Sequence, residues 1–289
     1  SLKGMIKMKA VIEDNKMSNK LKVFYMFIIS ICVIALIVGI VLQVQTEKKQ
    51  EQEKQTEKIS EEQLTNLKSD FKNIFENKVN YLKNNNYKIE KINQEKEIVY
   101  SGYQNNENKL SSYELDVNIP YINIKNEQIE KYNNEIKDIF EKKAKNVLNS
   151  NNNNTIYTVK YSAYVTNNIL SLVIRSTLKE DSNPQRDIIQ TYNYDLTNQK
   201  ECTMEDLLEL RGITKQQANQ KIKQEIESVQ KTIQGLEDLG LSVYARDPKS
   251  DIYSINNVTE YFIGQNNALY IIFAYGNENN TNEMDVIVM

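Results

Sequence analysis

The longest apolar run in the chain is VFYMFIISICVIALIVGIVL, from Val23 to Leu42, with no charge and with Ser30 as its one obvious polar side chain. At a helical rise of ~1.5 Å per residue it spans about 30 Å, the thickness of a bilayer hydrocarbon core. Lys3, Lys7, Lys9, Lys16, Lys20 and Lys22 precede it against Glu13 and Asp14, whereas Glu47, Lys48, Lys49, Glu51, Glu53 and Lys54 follow it with both signs mixed. Cationic flanks stay on the cytoplasmic side. The pattern therefore predicts a cytoplasmic segment 1–22, a single transmembrane helix 23–44 and an extracellular remainder. VLQVQTEKK offers no small-residue cleavage site, so the helix is expected to remain as a single-pass cell-membrane anchor.

Beyond the anchor the pattern changes twice. Residues 45–62 open with QTEKKQEQEKQTEKIS, almost without apolar positions, and predict a charged, solvated stalk. Leu64, Leu67, Phe71, Ile74, Phe75, Val79 and Leu82 then recur at three- and four-residue steps, predicting one amphipathic helix that ends at the Asn84–Asn86 run. Ile98–Tyr103 and Tyr113–Ile124 read as strands joined by Asn-rich turns. Asn126 caps a second helix carrying Ile129, Tyr132, Ile136, Ile139, Phe140 and Val147.

Thr155–Thr166 and Ile169–Leu178 flank Asn167-Asn168 and predict a hairpin; Ile188–Leu196 adds a strand after the polar loop KEDSNPQRD. TMEDLLEL is a short helix, and the pair Thr214 and Gln217 is a capping box for a longer one. After the irregular GLEDLGLSVYARDPKSD come three strands, Val258–Ile263, Ala268–Tyr275 and Met284–Val288. Strands and helices without βαβ alternation predict an α+β fold, mainly antiparallel with packed amphipathic helices, over residues 63–289. It reads either as one module or as two subdomains, 63–184 and 185–289.

Composition narrows the chemistry. The 289 residues contain no His, which excludes Ser-His-Asp and Cys-His nucleophiles and His-containing zinc sites. Cys32 lies in the apolar run, so Cys202 has no partner for a disulfide and reads as a small buried hydrophobe. The net charge is −3, and the first 22 residues carry +4, leaving −7 outside. That sign argues against nucleic acid and suits a basic protein partner. No Gly-rich phosphate loop or cofactor motif is present, and no catalytic residue or enzymatic role is expected.

The carboxylate pairs have ordinary readings. Glu205 and Asp206 sit in a first helical turn, and Glu180 and Asp181 in a solvated loop. Glu283 and Asp285 share a face of the last strand beside GNENNTN, but the spacing is not that of an EF-hand, and no metal site is assigned. Tyr157, Tyr161, Tyr164, Tyr192, Tyr194, Tyr270 and Tyr275 read as half-buried sheet residues, with sugar stacking as the alternative. The candidate ligand-binding residues are Arg186, Tyr275, Asn277, Glu283 and Asp285.

Four segments carry a resemblance: YELDVNIPYINIKNEQIEKYNNEIKDIF, NNILSLVIRSTL, QTYNYDLTNQKECTMEDLL and the terminal ALYIIFAYGNENNTNEMDVIVM. In order and content, over residues 85–289, they resemble the RsiV/PdaC-like extracytoplasmic domain family. That family includes the anti-sigma factor RsiV and the N-terminal region of the peptidoglycan deacetylase PdaC. Where family members often carry a Gly-Gly-Ala-His type stretch, this chain has KEDSNPQRD. The resemblance implies a membrane-anchored, non-catalytic binding or sensor domain at a Gram-positive type of cell surface. Its ligand would be a protein, such as lysozyme, or a cell-wall component. The alternative it implies is an RsiV-like anti-sigma factor, which holds a sigma factor and regulates transcription through ligand-triggered cleavage.

Overall fold

The Ser60 hydroxyl accepts a hydrogen bond from the Gln63 amide, and the Gln63 side-chain oxygen accepts one from the Ser60 amide; this capping box starts α1 (Glu61–Ser69). The computed structural model describes residues 26–27, 37–43, 59–149 and 154–289. The segment 1–22, most of the apolar run and most of the stalk 45–62 lie outside the described residues. Residues 37–43 are helical, and Ile37, Val38, Ile40, Val41 and Leu42 are exposed. Among the described residues, no helix is long and apolar enough to cross a membrane. Residues Lys58–Met289 form one unit, and the elements below belong to it.

The helix expected through Leu82 is cut short. α1 ends at Ser69, a 3₁₀ turn covers Phe71–Asn73, and β1 (Lys78–Tyr81) takes the place of the last predicted turns. Asn77 is the reason. It adopts a left-handed φ of 56°, its amide donates to the Tyr161 carbonyl at 2.8 Å, and its side chain accepts the Tyr161 amide at 3.1 Å. Pairing with a distant strand replaces local helical hydrogen bonds.

β2 (Val99–Lys109) and β3 (Tyr113–Ile122) form an antiparallel hairpin. The Asn-rich stretch after Tyr103 is strand, not turn, because each residue through Lys109 has a cross-strand partner on β3. A bulge between Ser101 and Tyr103 is occupied by Gly102, where a Cβ would lie 2.7 Å from that of Tyr121. Asn126 caps α2 (Glu127–Ile136), which runs through a π turn at Lys137–Glu141 into α3 (Lys142–Asn149). Ile129, Ile136, Phe140 and Ala144 are buried with Leu115, Val117 and Val159 of the sheet.

β4 (Thr155–Thr166), β5 (Ile169–Lys179) and β6 (Arg186–Asp195) make an antiparallel meander, and β7 (Lys200–Glu201) pairs at its end. Asn167 and Asn168 both take positive φ, as the two-residue β4–β5 turn requires. The sheet order is β2-β3-β4-β5-β6-β7, with a fork at β4. β3 pairs in parallel with Thr155–Val159, then departs, and β1 pairs in parallel with Ser162–Val165.

α4 (Met204–Arg211) and α5 (Lys215–Asp238) follow, each opened by a capping box, at Thr203 and Thr214. A second antiparallel sheet has the order β10-β9-β8, from β8 (Glu260–Ile263), β9 (Leu269–Ala274) and β10 (Met284–Val288). One face packs with α1 on the large sheet through Phe71, Tyr164, Val173, Phe262 and Tyr270. The other packs under α4 and α5 through Leu207, Ile222, Ile226, Ile263 and Ile271. The fold is α+β and mainly antiparallel: α2–α3, large sheet, small sheet with α1, then α4–α5.

Candidate functional site

The five residues singled out in the sequence fall in two adjoining polar joints. β9 ends in a turn at Tyr275–Asn277, and Gly276 is required there: a Cβ would lie 1.9 Å from the Asp187 carbonyl oxygen and 2.5 Å from that of Thr281. Arg186 donates through Nε to the Gly276 carbonyl and through Nη2 to that of Asn277. The Asn277 side chain accepts the Ile189 amide and donates to the Ile189 carbonyl, both at 3.0 Å. Asn277 thus acts as a strand neighbour for β6.

The second joint is organised by Arg246. Its Nε and Nη2 donate to the two carboxylate oxygens of Asp285 at 3.0 and 3.1 Å, and its Nη1 donates to Glu283 and to the Tyr244 carbonyl. The guanidinium lies 4.5 Å from the centre of the Tyr275 ring, which stacks on Tyr244 at 4.4 Å. Tyr275 donates to Asp285, and its hydroxyl is 2.8 Å from that of Tyr253. Burial opposes the Arg246 charge, yet the hydrogen bonds to Asp285 and Glu283 hold its pKa above the ordinary value. Burial and the Asp285 charge keep the Tyr275 phenol protonated, far above its usual range.

Glu283 and Asp285 therefore face a guanidinium supplied by the chain itself. Among the described residues no group of three or more His, Cys, Asp or Glu side chains could hold a metal ion. Arg246 lies in the stretch 239–250, where no periodicity marks it; the irregular segment expected from residue 235 begins only after α5 ends at Asp238. One signal was available: the lysine-rich chain uses arginine at four positions, Arg175, Arg186, Arg211 and Arg246. Arg175 also meets a buried acid, Asp187, its Nε and Nη2 both donating to one carboxylate oxygen at 3.2 and 2.6 Å.

The open concave surfaces lie elsewhere, around β2 and β3. Once β3 leaves β4, the backbone of Ile122 needs other partners, and Asn133 of α2 supplies them. Its side chain accepts the Ile122 amide at 2.8 Å and donates to the Ile122 carbonyl at 2.9 Å. This pins α2 across the end of the hairpin and leaves a groove of about 620 Å³ beside it. Gly102, Tyr103, Ile119, Pro120 and Tyr121 line the hairpin side, and Glu127, Glu130, Asn134, Lys137 and Glu141 the helix side. Tyr103 and Tyr121 are half-buried. A second cleft, also about 620 Å³, opens at the fork between β1 and β2. There Tyr81 donates to Glu97 at 2.7 Å, and the Ser101 and Tyr161 hydroxyls are 3.2 Å apart. Tyr100 of this cleft and Tyr121 of the groove are cross-strand partners, their rings 5.6 Å apart. Of the five candidate ligand-binding residues and the seven strand tyrosines named in the sequence reading, Tyr161 alone lines either cavity.

No family model and no curated protein sequence matches the chain. Among solved structures it is similar to a DUF3298 family protein from Bacteroides fragilis, at 12% identity and a TM-score of 0.32, over 56% of this chain and 61% of that one. It is also similar to a DUF3298 family protein from Pseudomonas aeruginosa PAO1, at 10% identity and a TM-score of 0.37, over 71% of this chain and 90% of that one.

Proposed function

We propose that the chain is a membrane-anchored, non-catalytic binding module that presents its α+β unit outside the cell and takes a protein or cell-wall ligand in the groove between α2 and the β2–β3 hairpin. One observation carries this reading. The groove offers tyrosine and proline surface beside exposed carboxylate, amide and ammonium groups, the combination of a binding cleft. The polar residues first singled out, by contrast, are engaged within the fold, by Arg246, by backbone groups or by one another. The anchor rests on the charge-free run Val23–Leu42 and its lysine-rich upstream flank.

The test is calorimetry on the full chain in detergent, with lysozyme as the basic protein and soluble peptidoglycan fragments as the cell-wall probe. Binding of either that is lost in Tyr103→Ala and Tyr121→Ala but kept in Tyr253→Phe supports the groove. Binding of neither, or binding indifferent to both groove substitutions, overturns it.

A further inference from the structure

β8 pairs with β9 along one edge, and side chains of the large sheet serve the other. Thr191 accepts the Tyr261 amide at 3.1 Å, Asn193 donates to the Tyr261 carbonyl at 2.7 Å, and Ser171 accepts the Ile263 amide at 3.1 Å. Ser171 also donates to Asn193 at 2.7 Å, so β5 and β6 together imitate a missing strand. At the end of this ladder sits the Glu260 carboxyl, 6% exposed, accepting the Thr191 hydroxyl at 3.0 Å.

The surroundings of Glu260 give its charge little support. From α2 the group that faces it is another carboxylate, Glu135, which is exposed. From β6 it is the buried Tyr192 phenol, itself raised by burial and by Glu135 and Glu260. On β8 itself the neighbour is Tyr261, raised by burial and by Glu201 of β7. Tyr132 of α2 closes the cluster against Tyr192, ring centres 4.8 Å apart. Burial, with Glu135 adding to it, lifts the Glu260 carboxyl to about 7, although hydrogen bonds from Thr191 and Thr259 pull the other way. Ionising it leaves a poorly solvated charge in the seam and sets two carboxylates against each other across α2 and β8.

We propose that Glu260 makes the seam between β8 and the large sheet a proton-controlled latch, closed when the carboxyl is protonated and loosened when it ionises. The latch is separate from the groove and stands whether or not the groove binds a ligand. It gives the module a response to external pH through local opening of one strand, without unfolding the rest.

Hydrogen exchange read by mass spectrometry on the full chain in detergent tests this. With intrinsic exchange corrected, protection of β8 is expected to fall roughly tenfold or more from about pH 5.5 to about pH 8.5, while β4–β5 protection holds. Glu260→Gln is expected to abolish that dependence, and Glu135→Gln to move the midpoint of β8 opening to lower pH, since the facing carboxylate no longer opposes ionisation of Glu260. Flat β8 protection in the unmodified chain, or the same pH dependence in Glu260→Gln, overturns the proposal. Should the Gln variant not fold, infrared spectroscopy of the unmodified chain decides. A buried protonated carboxyl band present at about pH 5.5 and lost by about pH 8.5 supports the latch, and its absence at the lower pH refutes it.

Discussion

Arg246 grips both oxygens of Asp285, at 3.0 and 3.1 Å, while its guanidinium lies over the ring of Tyr275. Both partners of the pair are buried, so each depends on the other for its charge. Removing one side of such a pair costs more than the pair contributes, because a naked charge is left inside. Arg246→Ala is expected to lower stability by about 3–5 kcal/mol in urea unfolding. Arg246→Lys keeps the charge but cannot reproduce the fork, and it should fall between the two. Pairing Arg246→Met with Asp285→Leu should recover much of the loss.

Gly276→Ala tests the turn that the Arg186 clamp encloses. A methyl group there meets two backbone carbonyl oxygens, which cannot rotate away as a side chain could. The expected loss is about 3 kcal/mol or more, with the damage centred on the β9–β10 connection in hydrogen exchange.

Asn133→Ala removes both hydrogen bonds that the end of β3 receives from α2. The expected cost is about 2 kcal/mol by denaturation, since the buried Ile122 amide and carbonyl lose their partners. Asn133→Asp keeps the acceptor and loses the donor, so its defect should be confined to the carbonyl side.

The Cys202 thiol is 3% exposed, and burial, followed by the Asp206 charge, pushes it up to about 12. In a Cys32→Ser background, labelling by a thiol reagent at about pH 8 should run roughly a thousandfold slower than for a free cysteine. Unfolding in urea should restore the ordinary rate.

Glu260 gives the module a pH profile with a defined sign. Its folded value of about 7 stands above the unfolded 4.5, so the folded state binds more protons in between. Its contribution is complete below 4.5, declines as pH rises through about 7, and is then constant. The full decline is about 3 kcal/mol, read as the difference in unfolding free energy between the unmodified chain and Glu260→Gln across that range.

Much of the fold was legible because it is written locally. The Asn167-Asn168 turn, the Thr214 and Gln217 capping box and the Asn126 cap each act within four residues, and all are present. The helix expected through Leu82 failed because the partner that decides it, Tyr161, lies far along the chain. Asn105–Asn108 read as turn because asparagine is a poor strand former, but β3 alongside overrides that preference. At the site, the shared face of Glu283 and Asp285 was legible, since strand alternation dictates it. The guanidinium between them was not, because Arg246 arrives from a segment without regular structure. The groove escaped notice for a related reason: it exists only because β3 parts from β4, and nothing in either strand's own pattern marks where they separate.

The forked sheet also imposes a schedule on folding. β4 and β5 can zip from a two-residue turn, but β1 must wait for β4, since Asn77 and Tyr161 are 84 positions apart. The strand nearest in sequence to the apolar run is therefore expected to be the last to lock. A chain emerging N-terminus first would carry α1 and β1 undocked while the rest of the sheet assembles. Pulse-labelled refolding should find β4–β5 amides protected first and those of β1 last. In a destabilised variant, the stretch from Ile74 to Leu82 should be the first that a protease cuts.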